Sequence, residues 1–326
     1  PFKVELDDIP FPKYLKFNLN NYDPVIPLIT SRGCPYQCIF CPIKNSIGSK
    51  FRYRSPKNLY EEVKYWYNKG YRRFQILDDN FTLLNDRIFS FCELLKDQFK
   101  DISFALPNGI RADRITQELL VELKKVGFDF LAIGVESAND RILKIIKKGE
   151  TLKQIENAIK MATELGFDVE LFFIIGSPTE TEEEIRNSFA FAKKYPVADA
   201  KFYNMIPFPN TELSKWVTEN GTLCGDLQNR LMHDAHQSRY PFFETKDLSA
   251  DKRSELLLES DNVRKEILRN NMARKMKKFG VFSNLISYTI YFGPIHKTIE
   301  YLYQRKMIRK MVQEILSLFN LKVRHF

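Results

Sequence analysis

The stretch Arg32-Gly-Cys-Pro-Tyr-Gln-Cys-Ile-Phe-Cys-Pro42 sets three thiols, Cys34, Cys38 and Cys41, on one short loop directly after the apolar run 25–30, Val-Ile-Pro-Leu-Ile-Thr. A strand ending there delivers all three to one place. Thiolates hold iron–sulfur clusters, and a four-iron cluster has four corner irons, so three protein ligands leave one iron open to something other than protein. Structural zinc wants four N or S ligands at tight spacing. No fourth follows nearby: Cys92 falls in a predicted helix, Cys224 is remote, and the histidines are His233, His236, His296 and His325.

Five cysteines, an odd number with three on one loop, do not make a disulfide framework, and reduced thiols suit a cytoplasmic, oxygen-poor setting. The start shows no signal peptide, and the best candidate for a membrane span, 279–295, is broken by Ser283, Asn284, Gly293 and Pro294. The net charge of +9 lies wholly after residue 250, where 16 Lys and Arg face 7 Asp and Glu. Such asymmetry suggests an acidic partner for the tail: a membrane surface, a phosphorylated substrate or nucleic acid.

Ser55-Pro-Lys-Asn opens a helix with a cap and a proline at its first turn, and Leu59, Val63, Trp66 and Tyr67 recur at helical spacing before Gly70. Strands are then expected at 73–77, 102–106, 130–135, 169–175 and 200–205, with helices at 86–99, 116–126, 139–147, 152–165 and 181–194 between them. Counting 25–30, that makes six near-continuous apolar strands alternating with amphipathic helices, the pattern of a parallel α/β sheet covered by helices. At 326 residues such a chain can bury a large core.

In parallel α/β architectures, ligand-binding groups collect where the strands end. The second strand ends in Asp78-Asp79-Asn80, where paired carboxylates at a buried rim repel unless an ammonium or other donor sits between them. Capping of the next helix is the alternative for Asp79 or Asn80. Arg111, after the third strand, can fork onto a carboxylate, whether a ligand's or that of Asp113 or Asp129. The fourth strand ends in Glu136-Ser137, and a carboxylate there can accept both hydroxyls of a ribose; Ser137 also suits a helix cap. Gly176, after the fifth strand, allows a flat ligand to approach closely. Tyr203 and Asn204, on the last strand, are candidates for lining a substrate cavity, with core packing the alternative for Tyr203.

The C-x3-C-x2-C spacing with Phe40 before the third cysteine resembles the signature of the radical S-adenosylmethionine (SAM) superfamily. The Asp-Asp-Asn stretch and Met205-Ile-Pro-Phe-Pro-Asn-Thr-Glu-Leu213 are similar to the cobalamin-dependent branch, with Asn210 where glycine is usual. The resemblance implies a partial (β/α)6 TIM-like barrel over 25–221, an N-terminal linker at 1–24 and a basic, mainly helical region at 222–326. It implies Cys34, Cys38 and Cys41 as ligands of a 4Fe-4S cluster and SAM as the second cofactor. Phe40 and Gly176 would then lie by the adenine, Asp78 or Asp79 on the amino group, Arg111 on the carboxylate, and Glu136 and Ser137 on the ribose. The implied activity is reductive SAM cleavage to a 5′-deoxyadenosyl radical that modifies an unactivated carbon of a small-molecule or lipid-like substrate, by methyl transfer or rearrangement. An external electron donor is required, and cobalamin enters only with an upstream domain, to which the opening segment resembles a linker. The basic tail fits peripheral membrane contact. The alternatives are RNA modification and a non-catalytic metal-binding protein.

Overall fold

Six strands run parallel and pair in sequence order: β1 (Val25–Leu28), β2 (Arg73–Ile76), β3 (Ser103–Ile110), β4 (Phe128–Glu136), β5 (Asp168–Ile175) and β6 (Asp199–Asn204). The structure, a computed structural model, describes residues 5–233 and 239–277. Helices α1 (Pro56–Asn68), α2 (Asn85–Leu95), α3 (Gln117–Lys125), α4 (Asp140–Ile145), α5 (Leu152–Glu164) and α6 (Glu182–Lys194) make the crossovers, with α7 (Glu212–Asn220) following β6. Pairing in sequence order through helical crossovers curls a sheet toward a barrel. Here β1 and β6 are the two ends of the order, so the cylinder is left partial.

The helices begin where local chemistry says they should. Ser55, Thr116, Thr151, Thr181 and Thr211 each accept a backbone N–H of the first turn, and Thr151 with Gln154 and Thr181 with Glu184 complete reciprocal capping boxes. Between sheet and helices, Phe74 stacks on Phe104 and Phe104 on Phe128, with ring centroids 5.4 and 4.7 Å apart. Phe91 of α2 meets Phe104 edge-on. All four rings are buried, and each contributes on the order of 2 kcal/mol by leaving water.

Two boundaries differ from the sequence pattern for visible reasons. β1 stops at Leu28 because the Thr30 N–H is given to Asp78 and its carbonyl accepts from Arg54, which takes both out of the ladder. β3 runs past Leu106 to Ile110 because a register shift re-pairs Ile110 with Ile133.

The opening segment lies along α1. Leu6 is buried, Asp7 accepts from the Ser55 N–H, and Tyr14 packs on Trp66. After the barrel, Gly221–Leu223 pairs antiparallel with Phe243–Thr245, so the region expected to be mainly helical starts with a small hairpin. Long-range pairing of two three-residue segments leaves no local pattern to read. Helix α8 (Ala250–Lys275) then covers the exposed edge of β6: Arg264 forks onto Asp199, Asn271 donates to the Ala198 carbonyl and Arg274 to that of Val197. Lys275 reaches Asp168 at 2.7 Å, so Arg274 and Lys275 tie the helix to the sheet. The rest of the basic tail, 278–326, lies outside the described residues, as do His236, His296 and His325. No helix among the described residues is long and apolar enough to cross a membrane.

Gly127, at the turn into β4, has φ +97°, and a Cβ there would stand 2.5 Å from the Ile102 carbonyl oxygen. Gly127→Ala is expected to destabilise the fold by about 2 kcal/mol or more, read as a lower urea midpoint with an unchanged slope.

Candidate functional site

A cavity of about 670 Å3 opens at the C-terminal end of the sheet. Cys34, Cys38, Phe40 and Cys41 line one end, and residues of β6 and α8, among them Tyr203, Asp261 and Arg264, line the other. The cysteine loop is held by its backbone. The Ile39 N–H donates to the Ile146 carbonyl after α4, and the Ile39 carbonyl accepts from the Leu213 N–H of α7, so buried Ile39 is pinned between two helices. At the loop's entrance Gly33 takes φ +88°, and a Cβ would meet the Lys50 and Gly48 carbonyl oxygens at 2.5 and 2.8 Å, so only glycine fits.

The three thiols are unpaired. Burial pushes the Cys38 thiol up to about 11 against the pull of Lys148, and burial also raises Cys41. No three Cys, His, Asp or Glu side chains among the described residues gather tightly enough to hold one metal ion. The ligands of a four-iron cluster bind separate corners and so stand farther apart than the ligands of a single ion. Three soft donors around the end of a cavity fit such a cluster.

The two carboxylates after β2 part company. Asp78 is buried and accepts from the Thr30 N–H at 2.6 Å, from Ser31 Oγ at 2.6 Å and from Thr30 Oγ1, with Arg87 3.9 Å away. Burial raises its carboxyl despite these donors. Its bonds tie the exit of β1 to that of β2. Asp79 is half-buried, lines the cavity and accepts from the Gly33 N–H at 3.2 Å. Neither Asp79 nor Asn80 caps the following helix by its side chain; Asn80 Nδ2 instead lies 4.0 Å from Cys34 Sγ.

Arg111 lines the cavity with its fork already engaged. Nε and Nη2 donate to the two Asp113 oxygens at 3.0 and 3.2 Å, and the guanidinium lies 3.5 Å over the Tyr36 ring. Glu136 reaches the cavity through a register shift between Gly134 and itself, taking φ +62°, a strained setting for a residue with a side chain. Lys148 Nζ holds its carboxylate at 2.8 Å and stands 3.4 Å from Glu150. Burial alone would lower that ammonium, but the charges of Glu136 and Glu150 raise it, so it stays protonated.

Ser137 and Gly176 face the back of this wall. Ser137 Oγ lies 3.5 Å from a Glu180 carboxylate oxygen, and Glu180 accepts from the N–H groups of Gly176 and Ser177 at 2.8 and 3.0 Å. The flat group that Gly176 admits is the Arg253 guanidinium of α8: a Cβ would stand 2.4 Å from its central carbon. Arg253 is fully buried over the Phe243 ring. Tyr203 is 43 % exposed and lines the cavity with Asn204, so it is a cavity wall and not core.

Sequence reading missed Lys148, Glu150, Glu180 and Arg253. The Lys147-Lys148-Gly149-Glu150 run carries mixed charge after a short helix, the one local hint; Arg253 lies 73 positions after Glu180, and only folding brings its charge near that carboxylate, with no hydrogen bond between them.

Lys148→Met leaves Glu136 buried without its counter-charge and Glu150 with Arg111 alone, 3.7 Å away, and is expected to cost about 3 kcal/mol of stability, part of it returned by adding Glu136→Gln, as denaturant titration of both variants would show. Burial lifts the Glu180 carboxyl from 4.5 to about 7, against its backbone donors and Arg253. Its folded form therefore binds more protons than the unfolded form between those values, and its contribution to stability falls as pH rises through that window. Glu180→Gln, which keeps an acceptor, is expected to flatten the fall in melting temperature between pH 4.5 and 7 relative to the parent.

Residues 28–192 match the family model of the Radical SAM superfamily. The chain is 33% identical over 228 residues to the uncharacterized methyltransferase PH0819 of Pyrococcus horikoshii, covering 68% of this chain and 49% of that protein. It is 32% identical over 240 residues to cytidylyl-2-hydroxyethylphosphonate methyltransferase of Streptomyces wedmorensis, covering 67% and 44%. It thus spans about half the length of these relatives. The fold is shared with the cobalamin-dependent radical enzyme OxsB, at TM-score 0.55 and 19% identity over 91% of this chain and 50% of that one. It is also shared with the methyltransferase TsrM of Kitasatospora setae, at 0.53 and 18% over 60% and 39%. With the family model spanning half of its length and three cysteines at the mouth of a partial parallel barrel, the chain belongs to the radical SAM superfamily.

Proposed function

We propose that this protein modifies an unactivated carbon of a small molecule, with methyl transfer as the reaction, using a 4Fe-4S cluster on Cys34, Cys38 and Cys41 together with SAM. The observation that carries the reading is one cavity lined both by the three thiols and by the aromatic rings of Phe40, Phe172 and Tyr203. When bound, the cluster supplies the electron that cleaves SAM reductively.

Around it the chain's own residues orient and exclude. Asp79 is our choice for the SAM ammonium, because the Asp78 oxygens are taken up by Thr30 and Ser31. Glu136, held by Lys148, presents acceptors for the ribose hydroxyls, and Phe40 offers a face to the adenine. Arg111 stiffens the rim through Asp113 and Tyr36, while Ser137 and Gly176 support Glu136 from behind through Glu180. About 670 Å3 lies within the range of roughly 300–1,000 Å3 typical of small-molecule sites.

The cavity's cations argue against RNA. Lys201 pairs with Glu170, Arg239 with Asp261 and Arg264 with Asp199, so among the described residues these cations are not free to face a phosphate backbone. Phe172 and Tyr203, edge to face at 5.8 Å, suit an apolar or planar substrate instead. Cobalamin as methyl carrier, and anaerobic, cytoplasmic operation, belong to this proposal. The first is supported by the fold shared with cobalamin-dependent enzymes and the second by three unpaired thiols on the loop. Peripheral membrane contact would rest on the tail beyond residue 277, outside the described residues.

Anaerobic loading with iron and sulfide, then SAM and a reductant, is expected to release 5′-deoxyadenosine or S-adenosylhomocysteine; a colourless protein that retains zinc would overturn the proposal. Glu136→Gln is expected to weaken SAM binding by about tenfold or more, the worth of a charge-assisted hydrogen bond, in equilibrium dialysis of the loaded protein.

A further inference from the structure

Where β5 and β6 run side by side, their register sets Glu170 opposite Asp199, Phe172 opposite Lys201 and Ile174 opposite Tyr203. Alternation along each strand puts all six side chains on one face of the sheet. Two carboxylates set directly opposite repel, so each needs a cation. Lys201 Nζ reaches Glu170 at 2.5 Å, and Arg264 of α8 forks onto Asp199 at 2.9 and 2.8 Å. Burial of the four is unequal: the Glu170 and Asp199 side chains are 2 % and 0 % exposed, whereas those of Lys201 and Arg264 are 31 % and 37 % exposed and line the cavity. Both ion pairs therefore turn their cations toward the cavity, with the carboxylates behind.

The pairing leaves donors over. Among the described residues Arg264 bonds Asp199 through Nε and Nη2 and gives Nη1 to no acceptor, and Lys201 bonds Glu170 alone. The Tyr203 hydroxyl, two positions on from Lys201, has no hydrogen-bond partner among the described residues either. Burial raises that phenol against the pull of Lys201 and Arg264, so it stays protonated and able to donate, and the pull itself shows that the three groups lie together. Asp261, the carboxylate that α8 brings to the lining, is held by Arg239 at 2.5 Å. A run of phosphates finds no open basic surface here, but a single anionic group finds three neighbouring donors beside the Phe172 and Tyr203 rings.

We infer that Lys201, Arg264 and Tyr203 form a subsite for one anionic group of the substrate, a carboxylate or a phosphonate, carried on a planar apolar body that packs against Phe172. The inference rests on the proposed small-molecule reading and names the substrate class for it. The buried carboxylates hold the two cations in place, so little side-chain freedom is lost when the anion arrives. They also cancel the charge of the cluster as a whole. Recognition is thus by the direction of donors at short range and not by a long-range field. Binding here is non-covalent and anchors the substrate without taking part in the chemistry.

The test uses the full chain loaded with its cluster and SAM, and three planar probes substituted at the same ring carbon: naphthoate, naphthylphosphonate and naphthamide. Binding is read by equilibrium dialysis, from naphthalene fluorescence in the protein-free compartment. At least one anionic probe is expected to bind about tenfold or more tightly than the amide, and which of the two leads tells a carboxylate from a phosphonate. Lys201→Met combined with Glu170→Gln removes the ion pair without stranding either charge, and is expected to cut the ratio of anionic to amide affinity about fivefold or more. Tyr203→Phe is expected to weaken the leading anionic probe about threefold or more. Equal affinity of the parent for all three probes, or no binding of any, overturns the inference and leaves the cluster reading intact. An unchanged ratio in the Lys201→Met, Glu170→Gln variant overturns it too, with or without a loss common to all three probes, since a common loss marks a disturbed cavity. A protein that takes up no cluster overturns both.

Discussion

Six strands that all run the same way bring every strand exit to one end of the sheet, and the use of that end depends on one anchored loop. Its anchor is backbone: buried Ile39 gives its N–H to the turn after α4 and its carbonyl to α7, so the cysteine loop is fixed to elements more than a hundred residues downstream. Side chains can then be thiols, because none has to hold the loop in place. The loop so held lines the large cavity with all three cysteines.

Around the loop the charges stand in buried pairs. Asp78 with Arg87 and the hydroxyls of Thr30 and Ser31 knits the first two strand exits together, and Lys148 with Glu136 and Glu150 does the same between the fourth strand and the turn after α4. Buried pairs of this kind add little net stability, but they fix geometry, since losing either partner strands a charge in low dielectric. Glu136 shows the cost of aiming a side chain. It sits beyond a bulge with positive φ, and a Cβ at Gly134 would lie 2.7 Å from the Glu136 carboxylate and push it from its present place. Helix α8 joins this scheme from outside: it covers the edge of β6, contributes Asp261 and Arg264 to the cavity, and places Arg253 against Gly176.

Local pattern foretold the alternation of strands and helices because period and caps are written within a few residues of one another. The capping threonines and the apolar runs of β4 and β5 are examples. It foretold the cysteine loop and the strand ends where polar residues gather. It left open which of Asp78 and Asp79 is taken up by neighbouring hydroxyls, and the register shift that aims Glu136 gives no signal in composition. Asn210 stands between these cases: its tolerance of a left-handed turn is local, but the Asn45 side chain that donates to its carbonyl comes from across the molecule.

The sequence by itself determined the parallel architecture, the three thiols after the first strand and the carboxylates at the strand ends, since spacing and polarity along the chain carry that information. Only the tertiary structure decided which charges pair. Arg111 with Asp113, Lys148 with Glu136 and Arg264 with Asp199 depend on side-chain directions and on separations that a linear pattern does not encode.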